Sequence, residues 1–219
     1  MSNDNTIYVM ESVYARNEKL ATKLNKTFTE RGIFCTNVLG APGAGKTTVL
    51  TQILKKLAAP ACVIEGDVES DIDTQKLKEL GFQAVQINTG GSCRLDAPII
   101  EDTFADMTFA NGFMFIENIG NLVCPASFLI GEHIKLLICA STDGGDKPYK
   151  YPLAFEKADI ILLNKCDLLK HVNFDMEYFN NGIRKLNPNA PVFTISGETG
   201  EGIDGVVEWL QNKAKPVIG

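Results

Sequence analysis

The sequence has no long apolar run, no excess of positive charge and no pair of cysteines at CxxC spacing. Each absence excludes a class of protein. A bilayer-spanning helix needs ~20 consecutive apolar residues, and no run approaches that length. Residues 1–6 are polar and include Asp4, without a basic patch leading into an apolar stretch, so no secretory signal is expected. Lys and Arg number 21 against 27 Asp and Glu, a net charge of −6. That balance argues against non-specific binding to nucleic acid or to an anionic membrane, while leaving room for a local basic pocket around a phosphate. Without CxxC spacing, neither a zinc ribbon nor a thioredoxin site is expected. Of the six cysteines, Cys35, Cys62 and Cys139 lie in apolar runs and read as small buried hydrophobes. A cytoplasmic, reduced protein fits these features. Repeats, low-complexity tracts and Pro/Gly/Ser-rich linkers are missing as well.

What is present fits one globular domain: 219 residues, 45% hydrophobic and 22% charged, which excludes wholesale disorder. Glu11 to Arg31 reads as a helix, with Leu20, Leu24 and Phe28 four residues apart and Arg16, Lys19, Lys23 and Glu30 on the other faces. Gly32 stops it. Residues 1–32 are therefore expected to form a helical appendage, packed on the core or facing a partner. From Ile33 onward, short apolar runs alternate with helical stretches. The runs are Phe34–Leu39, Ala61–Glu65, Ala84–Ile87, Phe113–Glu117, Lys135–Ala140, Ile160–Leu163 and Val192–Ile195. Near-continuous apolar runs suit parallel strands buried on both faces. The expected fold is α/β, a three-layer P-loop NTPase with a mostly parallel central sheet over residues 33–219.

The strongest motif is Gly40-Ala-Pro-Gly-Ala-Gly45-Lys46-Thr47, a GxxxxGK[ST] pattern between an expected strand and an expected helix. Glycines allow backbone N–H groups to curl around a phosphate, and the helix that follows turns its positive end to the anion. Gly40, Gly43, Ala44, Gly45, Lys46, Thr47 and Thr48 are thus the candidate phosphate-binding residues. Lys46 would supply charge to the β- and γ-phosphates, and Thr47 a hard oxygen for Mg²⁺.

Two further apolar strands run into acids. Phe113–Glu117 ends in a carboxylate as a Walker B strand does, and Glu117 is a candidate Mg²⁺ ligand; Gly120, just beyond, can admit a γ-phosphate. Val63-Ile-Glu-Gly-Asp67 is followed by Glu69, Asp71 and Asp73. Asp67 is the candidate for orienting or activating water, and Asp67 and Asp73 for the Mg²⁺ shell; a solvated loop charge is the alternative for each. Lys46, Asp67 and Glu117 form the expected catalytic set.

Ile160-Ile-Leu-Leu is followed by Asn164-Lys165-Cys166-Asp167, an NKxD motif after a strand. The Asp167 carboxylate can accept from N1–H and the 2-amino group of guanine, whereas adenine offers a lone pair at N1 and would leave it unpaired. The base is therefore expected to be guanine. Ser196-Gly-Glu-Thr-Gly-Glu, after the last strand, is similar to the loop that backs the base in GTPases, with Ser196 as its candidate contact.

Longer strings are more specific: Val63-Ile-Glu-Gly-Asp67, Gln86-Ile-Asn-Thr-Gly-Gly-Ser-Cys93-Arg-Leu-Asp-Ala97, Glu117-Asn-Ile-Gly-Asn-Leu-Val-Cys124-Pro-Ala-Ser127 and Asp146-Lys-Pro-Tyr-Lys-Tyr-Pro152. Together with the NKxD motif they make the chain resemble the HypB family, the GTPases of nickel insertion into [NiFe]-hydrogenase, from about residue 11 to 213. The Cys-Pro-His trio of the urease accessory GTPases is absent. The resemblance implies a GTPase that forms a homodimer when GTP and metal bind, and that hands nickel on with the chaperone HypA to the hydrogenase large subunit. It places a Ni²⁺ or Zn²⁺ site on Cys93 and Cys124, and at Lys150 a lysine that reaches nucleotide across the dimer. The sequence departs at one point: the family's His after the first cysteine is Arg94 here. A guanidinium has no lone pair to donate and repels a cation. His133 is the candidate substitute ligand. His133 and His171 are the only histidines, so the His-rich tail of some members has no counterpart, and with Cys35 as the first cysteine their Cys-rich N-terminal motif is missing too.

Overall fold

The computed structural model describes residues 4–67 and 72–219, with side chains from Val13 onward. Glu69 and Asp71 of the acidic run lie outside the described residues.

Seven strands form one sheet: β1 Ile33–Gly40, β2 Ala61–Asp67, β3 Gln83–Asn88, β4 Gly112–Glu117, β5 Ile134–Ala140, β6 Ile160–Asn164 and β7 Val192–Thr194. Their order is β3-β2-β4-β1-β5-β6-β7, and every pairing is parallel. The helices are α1 Asp4–Glu30, α2 Lys46–Lys56, α3 Ile72–Glu79, α4 Ala97–Ala105, α5 Cys124–Ser127, α6 Lys147–Lys150, α7 Pro152–Glu156, α8 Met176–Leu186 and α9 Ile203–Ile218. All eight residues of β1 are buried, because the strand has neighbours on both edges and helices on both faces. Alternate side chains serve opposite faces. Phe34 and Val38 join a cluster with α2, α3 and α9. Ile33 and Cys35 join one with α1 and α4, while Leu39 joins one with α7 and α8.

Register brings the functional strand ends together. Val38 pairs with Glu117, Gly40 with Ile138, and Ala140 with Asn164. From β1 the chain builds toward β2 and β3 on one side and toward β5, β6 and β7 on the other. Such a switch in strand order opens a crevice at the carboxyl ends of the strands.

Helix α1 packs along the sheet through Ala21, Leu24 and Phe28, which are buried with Ile33, Phe104 and Ile130. The Phe28 ring meets Phe104 edge-on, with centroids 4.8 Å apart. The helix starts earlier than the apolar spacing predicts, and α5, α6 and two 3₁₀ turns, Ser141–Asp143 and Cys166–His171, interrupt stretches that show no helical period. Pieces of three to six residues are too short to show one.

Phe28 is fully buried, so Phe28→Ala is expected to cost about 3–5 kcal/mol of unfolding free energy, read from urea denaturation. A loss below about 1 kcal/mol would show α1 to be peripheral to the core.

Candidate functional site

Strand β1 ends on Gly40, and α2 starts at Lys46. Between them Gly43 and Gly45 take left-handed backbone, φ 75° and 87°. A Cβ on Gly45 would lie 2.5 Å from Asn164 Nδ2, so the loop and the NKxD segment are in close contact. Asn164 Nδ2 donates to Ala44 O (2.9 Å), and Asn164 Oδ1 accepts from Gly197 N (2.8 Å). Lys165, itself at φ 63°, donates from Nζ to Gly43 O (2.8 Å), and its carbonyl accepts from Ser141 Oγ (2.8 Å). The N-terminus of α2 has no side-chain cap among the described residues, which leaves its first N–H groups facing the crevice.

A cavity of about 420 Å³ opens over that helix end, with Lys46, Thr47, Glu65, Asp67, Asp73 and Glu117 in its lining. Thr48 and Gly120 line it too, and Gly120 lies against Pro42: a Cβ there would be 3.1 Å from the proline ring. The Thr47 hydroxyl lies 3.0 Å from Glu117 Oε1 and 3.2 Å from Asp73 Oδ2, and its single proton serves one of them at a time. Lys46 Nζ stands 4.0 Å from Glu117 Oε1. Glu117 Oε2 is buried without a partner among the described residues. Burial pushes the Glu117 carboxyl up to about 7; Lys46 opposes the rise and Glu65 adds to it. Burial also raises Glu65, which accepts a hydrogen bond from Thr74 Oγ1. Crowded oxygens and an orphaned carboxylate oxygen suit a hard divalent cation. Among the described residues no three His, Cys, Asp or Glu side chains suffice to hold a metal. A Mg²⁺ ion here would draw on the Thr47 hydroxyl, Glu117 and Asp73, with the remaining oxygens from phosphate and water. The motifs do not single out Glu65. Its signal is its place in β2, two residues before Asp67 and so on the same side of the strand.

A second cavity of about 230 Å³ lies beside the first, lined by Gly45, Thr48, Asn164, Lys165, Asp167 and Glu198. Asp167 Oδ1 is buried with no partner among the described residues. Ser196 is buried in the loop between β7 and α9 and lines neither cavity: Ser196 N donates to Glu201 O (3.0 Å), and Ser196 Oγ accepts from Thr199 N (3.1 Å).

Cys93 and Cys124 meet. The two thiols are near enough to perturb each other's ionisation: Cys124 lowers the Cys93 pKa, and Cys93 raises that of Cys124. Cys93 is exposed and Cys124 half-buried. Arg94 Nη1 is 3.9 Å from Cys93 Sγ, while Arg94 Cζ sits 3.7 Å from the centroid of the Phe128 ring. Two thiols supply half of a tetrahedral sulfur set, so a Ni²⁺ or Zn²⁺ ion bound here needs donors beyond these two. His133 is not placed to be one of them. Its Nδ1 accepts from Cys35 N (3.0 Å), its Nε2 lies 3.0 Å from Thr29 Oγ1, and the ring stacks on Phe34. Lys150 lines neither cavity; it is largely exposed and pairs with Asp146 at 2.5 Å.

Asn118, another residue the motifs do not single out, joins the first cavity to the thiols. It follows Glu117, and its Oδ1 accepts from Ile119 N and from Leu95 N, both at 3.0 Å, while Nδ2 donates to Asn37 Oδ1 (3.2 Å). Asn121 Nδ2 donates to the Cys93 carbonyl (3.3 Å), and Asn121 also bridges to Gly40 at the end of β1.

The Glu117 carboxyl carries a sign-definite pH dependence. Its pKa is near 7 in the folded chain against 4.5 unperturbed. The destabilisation is absent below about 4.5, grows as pH rises, and is complete above about 7. In nucleotide-free protein, Glu117→Gln is expected to raise stability by about 3 kcal/mol at high pH and by almost nothing in acid. Urea midpoints across this range measure it; an equal gain at both ends would place the cause elsewhere.

Comparison with known proteins agrees with this arrangement. Residues 34–194 match the family model "CobW/HypB/UreG, nucleotide-binding domain". The hydrogenase maturation factor HypB of Escherichia coli is 41% identical over 216 residues, covering 97% of this chain and 74% of that protein. Among solved structures, HypB from Helicobacter pylori in complex with nickel superposes with a TM-score of 0.87 at 32% identity, covering 91% of this chain and 95% of the other. The hydrogenase maturation factor HypB from Archaeoglobus fulgidus gives 0.85 at 31%, covering 91% and 99%. The chain belongs to the HypB family of hydrogenase maturation factors, within the CobW/HypB/UreG nucleotide-binding proteins.

Proposed function

We propose that the chain is a GTP-hydrolysing metallochaperone that delivers nickel during [NiFe]-hydrogenase maturation, with GTP- and metal-linked homodimerisation. The observation that carries this reading is the Asn118 link. One carboxamide next to the Glu117 carboxylate holds the backbone two residues beyond Cys93, so a shift at the phosphate end of β4 displaces a metal ligand.

In this reading the loop from Gly40 to Gly45, Lys46, Thr47 and Thr48 binds the phosphates, and Gly120 admits the γ-phosphate. A Mg²⁺ ion held by Thr47, Glu117, Asp73 and Asp67 would neutralise charge on the phosphate oxygens. Lys46 stabilises the charge that grows during transfer, and Asp67 orients the attacking water. Asp167 takes two hydrogen bonds from guanine; its buried, partnerless Oδ1 supports that role. Asn164 and Ser196 hold the surrounding loops, and the Lys165 stem lies along the base. Lys150, exposed and outside both cavities of its own chain, would serve the nucleotide of a second copy. Nickel, as cargo, would take the Cys93 and Cys124 sulfurs, with HypA and the hydrogenase large subunit as the proteins on either side of the transfer. None of the described helices is long and apolar enough to cross a membrane, which suits a cytoplasmic pathway.

A second reading has a specific observation behind it. Arg94 places a permanent cation 3.9 Å from the Cys93 sulfur, which opposes a divalent ion. On that basis the chain would be a GTP-regulated assembly switch without nickel.

Two measurements test these readings. Asp167→Asn is expected to weaken GTP affinity about 10- to 100-fold while narrowing the gap to ATP; undiminished affinity would put the base elsewhere. Calorimetric titration of Ni²⁺ and Zn²⁺ into GTP-bound protein is expected to give stoichiometric binding that disappears in Cys93→Ala and in Cys124→Ala. Absence of metal binding and of metal-linked dimerisation in the unsubstituted chain selects the assembly switch.

A further inference from the structure

Cys93 lies on the loop between β3 and α4 and Cys124 opens α5, and each segment runs on into one that reaches α1. The first continues through Leu95 to Ala97 at the start of α4; the second passes through α5 to residues 128–132. Loops of this kind move independently unless something ties them, and independently moving ligands bind an ion weakly. Asn118 and Asn121 join them on the crevice side, and Asn17 of α1 ties them from the helix side. It is 5% exposed, its Nδ2 donates to Leu129 O (2.8 Å), and its Oδ1 accepts from Ala97 N (2.9 Å). A single planar carboxamide therefore fixes a residue four past Cys93 against a residue five past Cys124. A separate contact acts in the same direction. The Tyr14 ring packs on Phe128 with centroids 4.6 Å apart, and the same Phe128 ring carries the Arg94 guanidinium next to Cys93. Further along α1, Asn25 Nδ2 lies 3.1 Å from Gly131 O and 3.0 Å from Glu132 O, which secures the end of the second segment.

We propose that α1 is a brace that sets the separation of the Cys93 and Cys124 sulfur atoms, with Asn17 as its positioning residue. The brace itself concerns spacing; the ion that exploits the spacing rests on the metal-delivery reading above. Partners one step removed from a metal ligand commonly alter affinity about 10- to 100-fold when removed, because the ligands then have to be ordered at the moment of binding.

The test separates spacing from metal preference. Phenylarsine oxide forms two As–S bonds with a suitably spaced thiol pair, the two thiol protons leaving with its oxygen as water. Its affinity, the Ni²⁺ affinity of the GTP-bound protein and the GDP affinity are measured for the unsubstituted chain, Asn17→Ala, Tyr14→Leu and Phe28→Leu. Phe28→Leu weakens α1 packing while leaving every hydrogen bond of Asn17 and Asn25 in place. The expected result is a loss of about tenfold or more in arsenical and Ni²⁺ affinity for Asn17→Ala, with GDP affinity within about twofold and little change in Phe28→Leu. Unchanged arsenical affinity in folded Asn17→Ala overturns the brace, and so does an equal loss in Phe28→Leu, which would make it a matter of general stability. If Asn17→Ala fails to bind GDP, Tyr14→Leu decides the matter: lost arsenical affinity supports the brace and retained affinity overturns it. Cys93→Ser and Cys124→Ser distinguish the two levels. Full Ni²⁺ affinity in both would remove the metal reading, while the arsenical series would still judge the brace.

Discussion

The site depends on the Asn118 carboxamide. Its oxygen takes two backbone N–H groups, Ile119 and Leu95, and its nitrogen donates to Asn37 inside β1. The residue is 1% exposed, so each of these bonds is made in a low-dielectric interior where a lost partner costs about 1–3 kcal/mol. A buried amide so fully engaged has two options. It keeps its partners in place, or it moves together with them. Because one partner lies on the cysteine loop and the residue itself adjoins Glu117, motion at either end has to be shared.

Charge makes such motion worthwhile. Glu117 and Glu65 are both buried, both have raised pKa values, and Asp73 adds to the rise in each. Among the described residues, Lys46 is the one basic residue in the lining of a cavity that holds four acids, Glu65, Asp67, Asp73 and Glu117. A nucleotide-free chain carries this mismatch as lost stability at neutral pH, and on the proposed function a divalent cation with its phosphate would relieve it. The proposed switch therefore has its driving force in the acids themselves, and α3, which bears Asp73 and Thr74, is the element that follows them.

Much of this arrangement is legible in the amino-acid order, for identifiable reasons. Strands covered on both faces have to be apolar throughout, so Phe34–Leu39 and Ile160–Leu163 stand out, and a polar residue closing such a run, Glu117 or Asn164, marks a strand end in the crevice. The phosphate loop and the NKxD motif are local strings whose chemistry is set by their own residues. Asn17 and Asn25 are illegible for the opposite reason. Each looks like a polar residue on a helix face, and the groups they serve, Leu129 and Gly131, lie more than a hundred positions away in the chain. His133 misleads in the converse way. Proximity to Cys124 in sequence suggests a ligand, but the ring is taken up between β1 and α1.

Gly45 offers a last consequence. With only hydrogen on its α-carbon, the residue lets Asn164 rest against the turn before α2, in space that any methyl group would occupy. The two recognition loops are consequently one mechanical piece. If the proposed function holds, grip on the triphosphate tail and discrimination between purines cannot drift apart in a lineage that keeps this contact: a change at this glycine would erode both at once, and neither trait could be retuned without reshaping the other.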